Sequence, residues 1–203
     1  MDDNITEEQQ VEQIKAWWKE NGKAVVLGAV IGLGGLYGWR YYQGEVQAAK
    51  EQASDAYTQV INRLESGSTD AVADVQAFIT GHESSQYSVL AALQLAKAQV
   101  TQGELDAAAE QLSWAIDNTQ DEAILPIAQT RLARIYAEQQ KFDLAMAELD
   151  KVSAESWQAK VAELRGDVLL QKGDTIAARE AYVQAQQLGE SPALKIKLDD
   201  LAQ

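Results

Sequence analysis

The apolar residues divide the chain into a short uncharged stretch near the N-terminus and a long region of helical periodicity. From residue 45 onward, apolar side chains recur at three- and four-residue spacing, which is typical of helices that bury one face. Ala, Leu, Gln and Glu dominate, and the only two prolines are Pro126 and Pro192. These dominant residues lose little side-chain freedom in a helix. The pattern predicts an all-α protein.

The uncharged stretch covers residues 24–39, between Lys23 and Arg40. At about 1.5 Å per residue it is roughly 24 Å long, which is shorter than the ~30 Å hydrocarbon core of a bilayer. Long flanking side chains can make up the difference by reaching the interface. Aromatic residues at both ends match the interfacial belts of spanning helices. We therefore predict a transmembrane helix over residues 23–42.

Two other interpretations of this stretch fit less well. A cleaved signal peptide needs small residues after its apolar part, but here the bulky sequence Trp39-Arg40-Tyr41-Tyr42 follows. A buried helix of a soluble protein is the second alternative. It is disfavoured because glycine weakens a helix in water, and the sixteen residues include five glycines.

The glycines of the stretch are spaced for helix packing. Gly28 and Gly32 form one GxxxG motif, Gly34 and Gly38 form a second, and Gly35 shares a helix face with the first pair. Such a face allows another membrane helix to approach closely. Glycine is also common in membrane helices in general. A docking role and a simple compositional preference are therefore both open.

Residues 1–22 are predicted to form a cytoplasmic tail that contains a short amphipathic helix. Thr6 and Gln9 have the spacing of a capping box. The apolar residues that follow share one face, as in helices that lie on a membrane surface; a frayed tail is the alternative. Asn21-Gly22 predicts a break in the helix before the span.

The basic residues around the span indicate its orientation. Three lysines precede it, at positions 15, 19 and 23, whereas Arg40 and Lys50 follow it. Because positive charge is retained in the cytoplasm, this bias predicts a cytoplasmic N-terminus. The protein would then be a single-pass inner-membrane protein whose domain 43–203 lies in the periplasm of a Gram-negative bacterium.

Three segments of the C-terminal region resemble one another: residues 95–115, 132–152 and 165–185. Each has a turn near its middle, then a small residue, and a large apolar or aromatic residue four positions later. The small residues, Ala108, Ala145 and Ala178, are 37 and 33 positions apart, which is the period of a tetratricopeptide repeat. We therefore predict a tetratricopeptide-repeat-like α-solenoid over residues 43–203. The turns lie at Gly103, Gln140 and Gly173, and the large residues are Leu112, Leu149 and Tyr182.

The two ends of this solenoid are predicted to be caps. Residues 45–65 and 70–80 would form a degenerate first pair of helices. Ser191-Pro192 has the order of an N-cap followed by a first helical residue. The C-terminal helix that begins there would cover the last repeat with one apolar face, formed by Leu194, Leu198 and Leu201.

The formal net charge is −14, and residues 43–203 contribute −12 of it. Nucleic acid is therefore an improbable partner, because such binding depends on neutralising phosphates. The absence of cysteine excludes disulfides, Cys-ligated zinc and a thiol nucleophile.

Candidate catalytic residues are scarce. The single histidine, His82, stands beside Glu83 and Ser84 between two predicted helices. A lone histidine makes a weak metal or catalytic site, so we favour a solvated loop residue. No phosphate-binding loop or nucleophile motif occurs. We predict a non-enzymatic protein without a cofactor or bound metal.

The concave surface of the solenoid is the predicted binding site, because the first helix of each repeat usually faces it. Its mixed charges would suit an extended peptide or a partner domain, whereas an ordinary solvated face is the alternative. The predicted groove residues are Lys97, Arg134, Glu138, Lys160, Glu163 and Asp167.

The block VEQIKAWWKENGKAVVLGAVIGLGGLYGWRYYQ (residues 11–43) and the segments Thr130–Arg134 and Leu164–Asp174 resemble the YfgM family of Gram-negative proteobacteria. Members of this family are ancillary subunits of the SecYEG translocon. The resemblance covers the whole chain in order, and the block around the span is its most specific part.

This resemblance implies association with SecYEG and with PpiD, a membrane-anchored periplasmic chaperone. It also implies a role in assisting newly exported proteins, whose unfolded segments would then be clients, and it implies no catalytic residue. The alternative function is an envelope scaffold or regulatory protein that acts through the groove, as a homodimer formed by the glycine face.

Overall fold

The computed structural model describes residues 7–189 and 191–201. The predicted capping box at Thr6 and Gln9 lies outside the described residues and side chains. Across the described ranges the regular structure is helical, with no strand, which confirms the all-α prediction. The α-helices are α1 (Glu7–Glu65), α2 (Ala71–Gly81), α3 (Gln86–Gln102), α4 (Leu105–Asn118), α5 (Leu125–Glu138), α6 (Phe142–Asp150), α7 (Gln158–Lys172), α8 (Thr175–Leu188) and α9 (Pro192–Asp200), and a short 3₁₀ turn (Glu155–Trp157) precedes α7.

Contacts divide the chain into two compact units, and the boundary in the sequence falls between Gln52 and Ala53. In the first unit α1 is long and apolar enough to cross a membrane, and the apolar side chains of its span are exposed. The predicted break at Asn21-Gly22 is wrong, because α1 is continuous there. The Asn21 side chain donates to the carbonyl of Trp17 at 3.1 Å. Gly22 lets the Trp18 ring lie against the backbone, so both residues fit within a helix.

The second unit is a stack of helical hairpins: α3 with α4, α5 with α6, and α7 with α8. The predicted turns are confirmed, because Gly103, Gln140 and Gly173 all have positive φ angles (82°, 59° and 90°). Glycine adopts this conformation without a steric penalty. Gln140 adopts it at a steric cost, because its Cβ crowds a backbone carbonyl oxygen.

The predicted small and large positions form the contacts between these helices. The three alanines are fully buried, and each of the three large residues is only 1% exposed: Ala108, Ala145 and Ala178 with Leu112, Leu149 and Tyr182. A methyl side chain at the crossing point allows two helices to approach closely, and the larger side chain fills the space beside it. This packing confirms the repeat prediction.

Both ends of the solenoid are closed. The C-terminal part of α1 places Ile61 in the same apolar cluster as Val75 and Phe78 of α2. At the other end, Leu194 of α9 is buried with Ala185 of α8, as predicted for a capping helix. Leu198 and Leu201 pack against the same cluster. Ser191 occupies the N-cap position, but its side chain makes no capping hydrogen bond.

Candidate functional site: a concave groove

A groove of about 560 Å³ lies between α3, α4 and α5. We call it the α3–α5 groove. Leu93, Ala96, Leu112 and Ile135 line it and are buried, so they form an apolar floor. Val100 also lines it and is 44% exposed. An exposed aliphatic residue above an apolar floor is a favourable contact for another apolar side chain.

Charged side chains stand at the edge of this groove: Lys97 of α3, with Arg131, Arg134 and Glu138 of α5. The three cations make no ion pair with any residue that the structure describes. Sequence reasoning missed Arg131. It lies three residues before Arg134, and residues at this spacing share a helix face. The spacing could therefore have identified Arg131 as a groove residue.

A second groove of about 280 Å³ continues the first towards α7. We call it the α5–α7 groove. Arg134 and Glu138 line both grooves, and Asp167 lines the second. Gln171 of α7 donates to the Glu138 carboxylate at 3.2 Å. Of the six predicted groove residues, four therefore line the two grooves: Lys97, Arg134, Glu138 and Asp167.

The other two predicted residues, Lys160 and Glu163, belong to an ion cluster that joins α7 to α9. Lys197 of α9 donates to Glu163 at 2.8 Å and to Asp167 at 2.6 Å. Lys160 donates to the second Glu163 oxygen at 2.9 Å. This cluster holds the capping helix in place.

The pKa values of the cluster reflect this pairing. Burial alone would raise the pKa of Glu163, but hydrogen bonds from Lys197 and Lys160 outweigh it and hold that pKa below its ordinary value. Burial would lower the pKa of Lys197, whereas hydrogen bonds to Asp167 and Glu163 raise it overall. Both groups are therefore charged at neutral pH, and the two carboxylates share the Lys197 ammonium.

Tyr182 connects this cluster to the core. Its hydroxyl donates to Asp167 at 2.8 Å, and its ring lies 5.5 Å from the Lys197 ammonium, within cation–π range. Burial and the bond to Asp167 raise the pKa of Tyr182. The ring also lies directly against the backbone of Gly166, where no side chain could fit.

The glycines of the span leave open surface on α1. Within the described residues, nothing lies within 4 Å of where a Cβ would be placed at these five positions, Gly28, Gly32, Gly34, Gly35 and Gly38. The two GxxxG motifs therefore expose backbone along the helix, as in faces that pack against another helix.

His82 lies in the turn that follows α2, as predicted, but it is half-buried and not fully solvated. Its Nδ1 lies 3.1 Å from the Phe78 carbonyl oxygen. Its ring stacks on Phe78 at 4.6 Å, and its carbonyl accepts a hydrogen bond from the Ser88 hydroxyl at 2.7 Å. His82 therefore joins α2 to α3. In the part of the chain that the structure describes, no three His, Asp or Glu side chains are grouped to hold a metal ion.

Comparisons with known proteins agree with this architecture. Residues 15–203 match the tetratricopeptide repeat-like domain family. The ancillary SecYEG translocon subunit of Haemophilus influenzae is 35% identical over 201 residues, which are 98% of each chain. The subunit of that name in Escherichia coli is 35% identical over 97% of each chain. PilF of Pseudomonas aeruginosa has a similar fold, with a TM-score of 0.56 and 22% identity over 75% of this chain and 69% of its own. This chain therefore belongs to the family of ancillary SecYEG translocon subunits and is built on a tetratricopeptide repeat-like domain.

Proposed function

We propose that this protein is a non-enzymatic, membrane-tethered interaction protein at the Sec translocon. Its family membership over nearly the whole chain is the observation that carries this proposal. The combination of one apolar helix and one helical-repeat unit supports it, because repeat solenoids bind partners through extended concave surfaces.

In this proposal α1 crosses the inner membrane with the N-terminus in the cytoplasm, and residues 43–203 lie in the periplasm. The bias of three basic residues before the span against two after it supports this orientation. The open glycine face of α1 supports docking against a membrane helix of SecYEG, because glycine allows two helix backbones to approach closely.

We further propose that the repeat unit links SecYEG with a PpiD-like periplasmic chaperone and assists newly exported proteins. The apolar floor and exposed Val100 of the α3–α5 groove support this role, since both the surface of a chaperone and an unfolded segment can offer apolar side chains.

Site-specific photocrosslinking in native membranes tests the proposal. A photoreactive residue at Gly28 or Gly32 should form adducts with a translocon subunit, and one at Val100 should form adducts with a chaperone or exported proteins. A matched probe at Leu144, which is exposed but lines neither groove, serves as the control. The absence of translocon adducts from either glycine position would disprove the proposed docking.

The glycine face also favours a second candidate function, an envelope scaffold or regulatory protein that forms a homodimer through α1. Close packing of two identical GxxxG faces is a known mode of helix association. Adducts formed only between copies of this chain would support this alternative over the first proposal.

A further inference from the structure

The cations of the repeat unit differ in whether they form ion pairs. Residues 53–203 contain twelve lysines and arginines, and seven of them form ion pairs with described residues. Five make none: Lys97, Arg131, Arg134, Arg179 and Lys195. Three of these five line the α3–α5 groove.

This concentration is informative because the unit is strongly acidic. Acidic side chains outnumber basic ones in residues 53–203 by 23 to 12, so a cation that lies near a carboxylate by chance is the common case. Yet Lys97, Arg131 and Arg134 stand together with a single carboxylate, Glu138, along the groove. That carboxylate already accepts a hydrogen bond from Gln171. The groove therefore has a local excess of positive charge.

The shape of the groove adds a second requirement. Its floor is formed by buried aliphatic side chains, and Val100 projects from the same surface. A small anion would satisfy the cations but would leave this apolar surface exposed to water. A ligand that fits both features carries carboxylates at the groove edge and apolar side chains towards the floor.

We propose that the α3–α5 groove binds a peptide segment in which acidic residues alternate with large apolar ones. The side-chain carboxylates pair with Arg131, Arg134 and Lys97, and the apolar side chains contact Val100 and the floor. Arginine suits this role because its planar guanidinium can bind a carboxylate through two parallel hydrogen bonds. The inference rests on the proposed function, since it names the chemistry of the segment that the interaction protein recognises.

The α5–α7 groove is less suited to the same ligand. It shares Arg134 with the α3–α5 groove, and its acidic residue Asp167 already binds Lys197 and the Tyr182 hydroxyl. Lys97 and Arg131, the other two cations that form no ion pair with described residues at this surface, line only the α3–α5 groove. The acidic side chains of the bound segment are therefore placed between α3 and α5.

The test is fluorescence anisotropy with full-length protein in detergent micelles and a labelled, C-terminally amidated twelve-residue peptide of alternating Glu and Leu. The variant R131Q/R134Q removes two groove cations, and both side chains are exposed, so the fold should persist. The matched control R179Q/K195Q removes two cations that also form no ion pair with described residues and lie outside the groove. We expect about a tenfold loss of affinity for the groove variant, which corresponds to two ion pairs of about 0.7 kcal/mol each.

Three further binding measurements test whether the side-chain carboxylates of the peptide are recognised. A peptide with Gln in place of Glu should bind the wild type as weakly as the Glu peptide binds R131Q/R134Q, and added salt should weaken the Glu peptide more. Equal binding of the two peptides, or an equal loss in the control variant, would overturn the proposal. So would a Gln peptide with a free C-terminus that binds as tightly as the Glu peptide, because the chain terminus would then be the carboxylate recognised.

This experiment is separable from the test of the proposed function. Peptide binding measures the groove in isolation, whereas crosslinks from Gly28 and Gly32 report docking of α1. Failure of peptide binding with translocon crosslinks intact rejects only the groove inference. Loss of the crosslinks with peptide binding intact rejects the translocon proposal and leaves the groove as an acidic-peptide site.

Discussion

Replacing Gly166 with alanine tests how closely α7 and α8 approach. A Cβ at this position would lie 2.3 Å from Cε1 and 2.4 Å from Cδ1 of Tyr182, whereas carbon atoms in contact are about 3.5–4.0 Å apart. Tyr182 is 1% exposed, and its hydroxyl is bonded to Asp167. The ring is therefore closely packed against α7, and it loses this hydrogen bond if it moves away.

Two effects of this substitution oppose each other. Alanine is favoured over glycine within a helix by about 1 kcal/mol. Overpacking a buried site costs about 1–3 kcal/mol, and losing a hydrogen bond to a charged group costs about 1.5–3 kcal/mol. The steric effect is larger, so we expect Gly166→Ala to lower the free energy of unfolding by about 2–4 kcal/mol.

Urea unfolding of the full-length protein in detergent, followed by far-UV circular dichroism, measures this change. Gly81→Ala is the matched control, because nothing lies within 4 Å of its Cβ position; we expect a change of no more than ~0.5 kcal/mol. In a Tyr182→Ala background the clash is removed, and Gly166→Ala should then stabilise by about 1 kcal/mol. Wild-type stability of Gly166→Ala, or the same sign of effect in both backgrounds, would refute the packing argument.

Two further predictions concern the capping helix and the turns. Because the pKa of Glu163 is lowered in the fold, its contribution to stability is present above its unfolded pKa of about 4.3 and is lost as pH falls through the lower folded value. Glu163→Gln should therefore lower the melting temperature at neutral pH and have little effect near pH 3; an equal effect at both pH values would contradict the pairing with Lys197. Gln140→Gly should stabilise by about 0.5 kcal/mol, because φ at this residue is 59°. Gly173→Ala, where φ is 90°, should destabilise by about 1 kcal/mol, and thermal unfolding that ranked these two variants in the opposite order would reject the turn assignment.

The helical hairpins were predictable because their determinants recur at fixed spacing. A turn residue, a small residue and a large residue repeat with nearly constant separation, and each is explained by a local requirement. Ala108, Ala145 and Ala178 had to be small because helices cross there, and the structure buries all three completely. Gln140 aligns with Gly103 and Gly173, and this alignment predicts a turn at all three positions. The turn forms at Gln140 even though a glutamine side chain disfavours a positive φ angle.

The predicted break at Asn21-Gly22 is wrong because Asn and Gly occur in turns but can also be accommodated within a helix. Asn and Gly favour turns when their side-chain and backbone freedom is used to leave a helix. In α1 the Asn21 amide instead bonds to a carbonyl four residues earlier, and the missing side chain of Gly22 accommodates Trp18. Such a contact depends on which residue stands one turn away, and a dipeptide signal does not contain that information.

The ion cluster of the capping helix was beyond sequence reasoning for a different reason. Lys197 lies 34 residues from Glu163 and 30 from Asp167 along the chain. The first separation equals one tetratricopeptide repeat, but α9 is the capping helix and lies outside the three aligned segments, so their alignment did not extend to Lys197. Sequence periodicity placed both carboxylates on the first helix of a repeat, which is correct. It could not show that Lys197 of α9 binds both of them there.

The net charge of the chain likewise does not describe the charge within the α3–α5 groove. A net charge of −14 describes the field far from the protein, where individual charges are screened and summed. Within the groove the nearest charges dominate, and they are Lys97, Arg131 and Arg134 against Glu138. The same chain can therefore repel an acidic polymer at long range and bind a short acidic segment at one concave surface. Because the unpaired cations lie above an apolar floor, selection at this surface requires both kinds of side chain in the ligand, and a purely acidic or purely apolar segment would lose one half of the contacts.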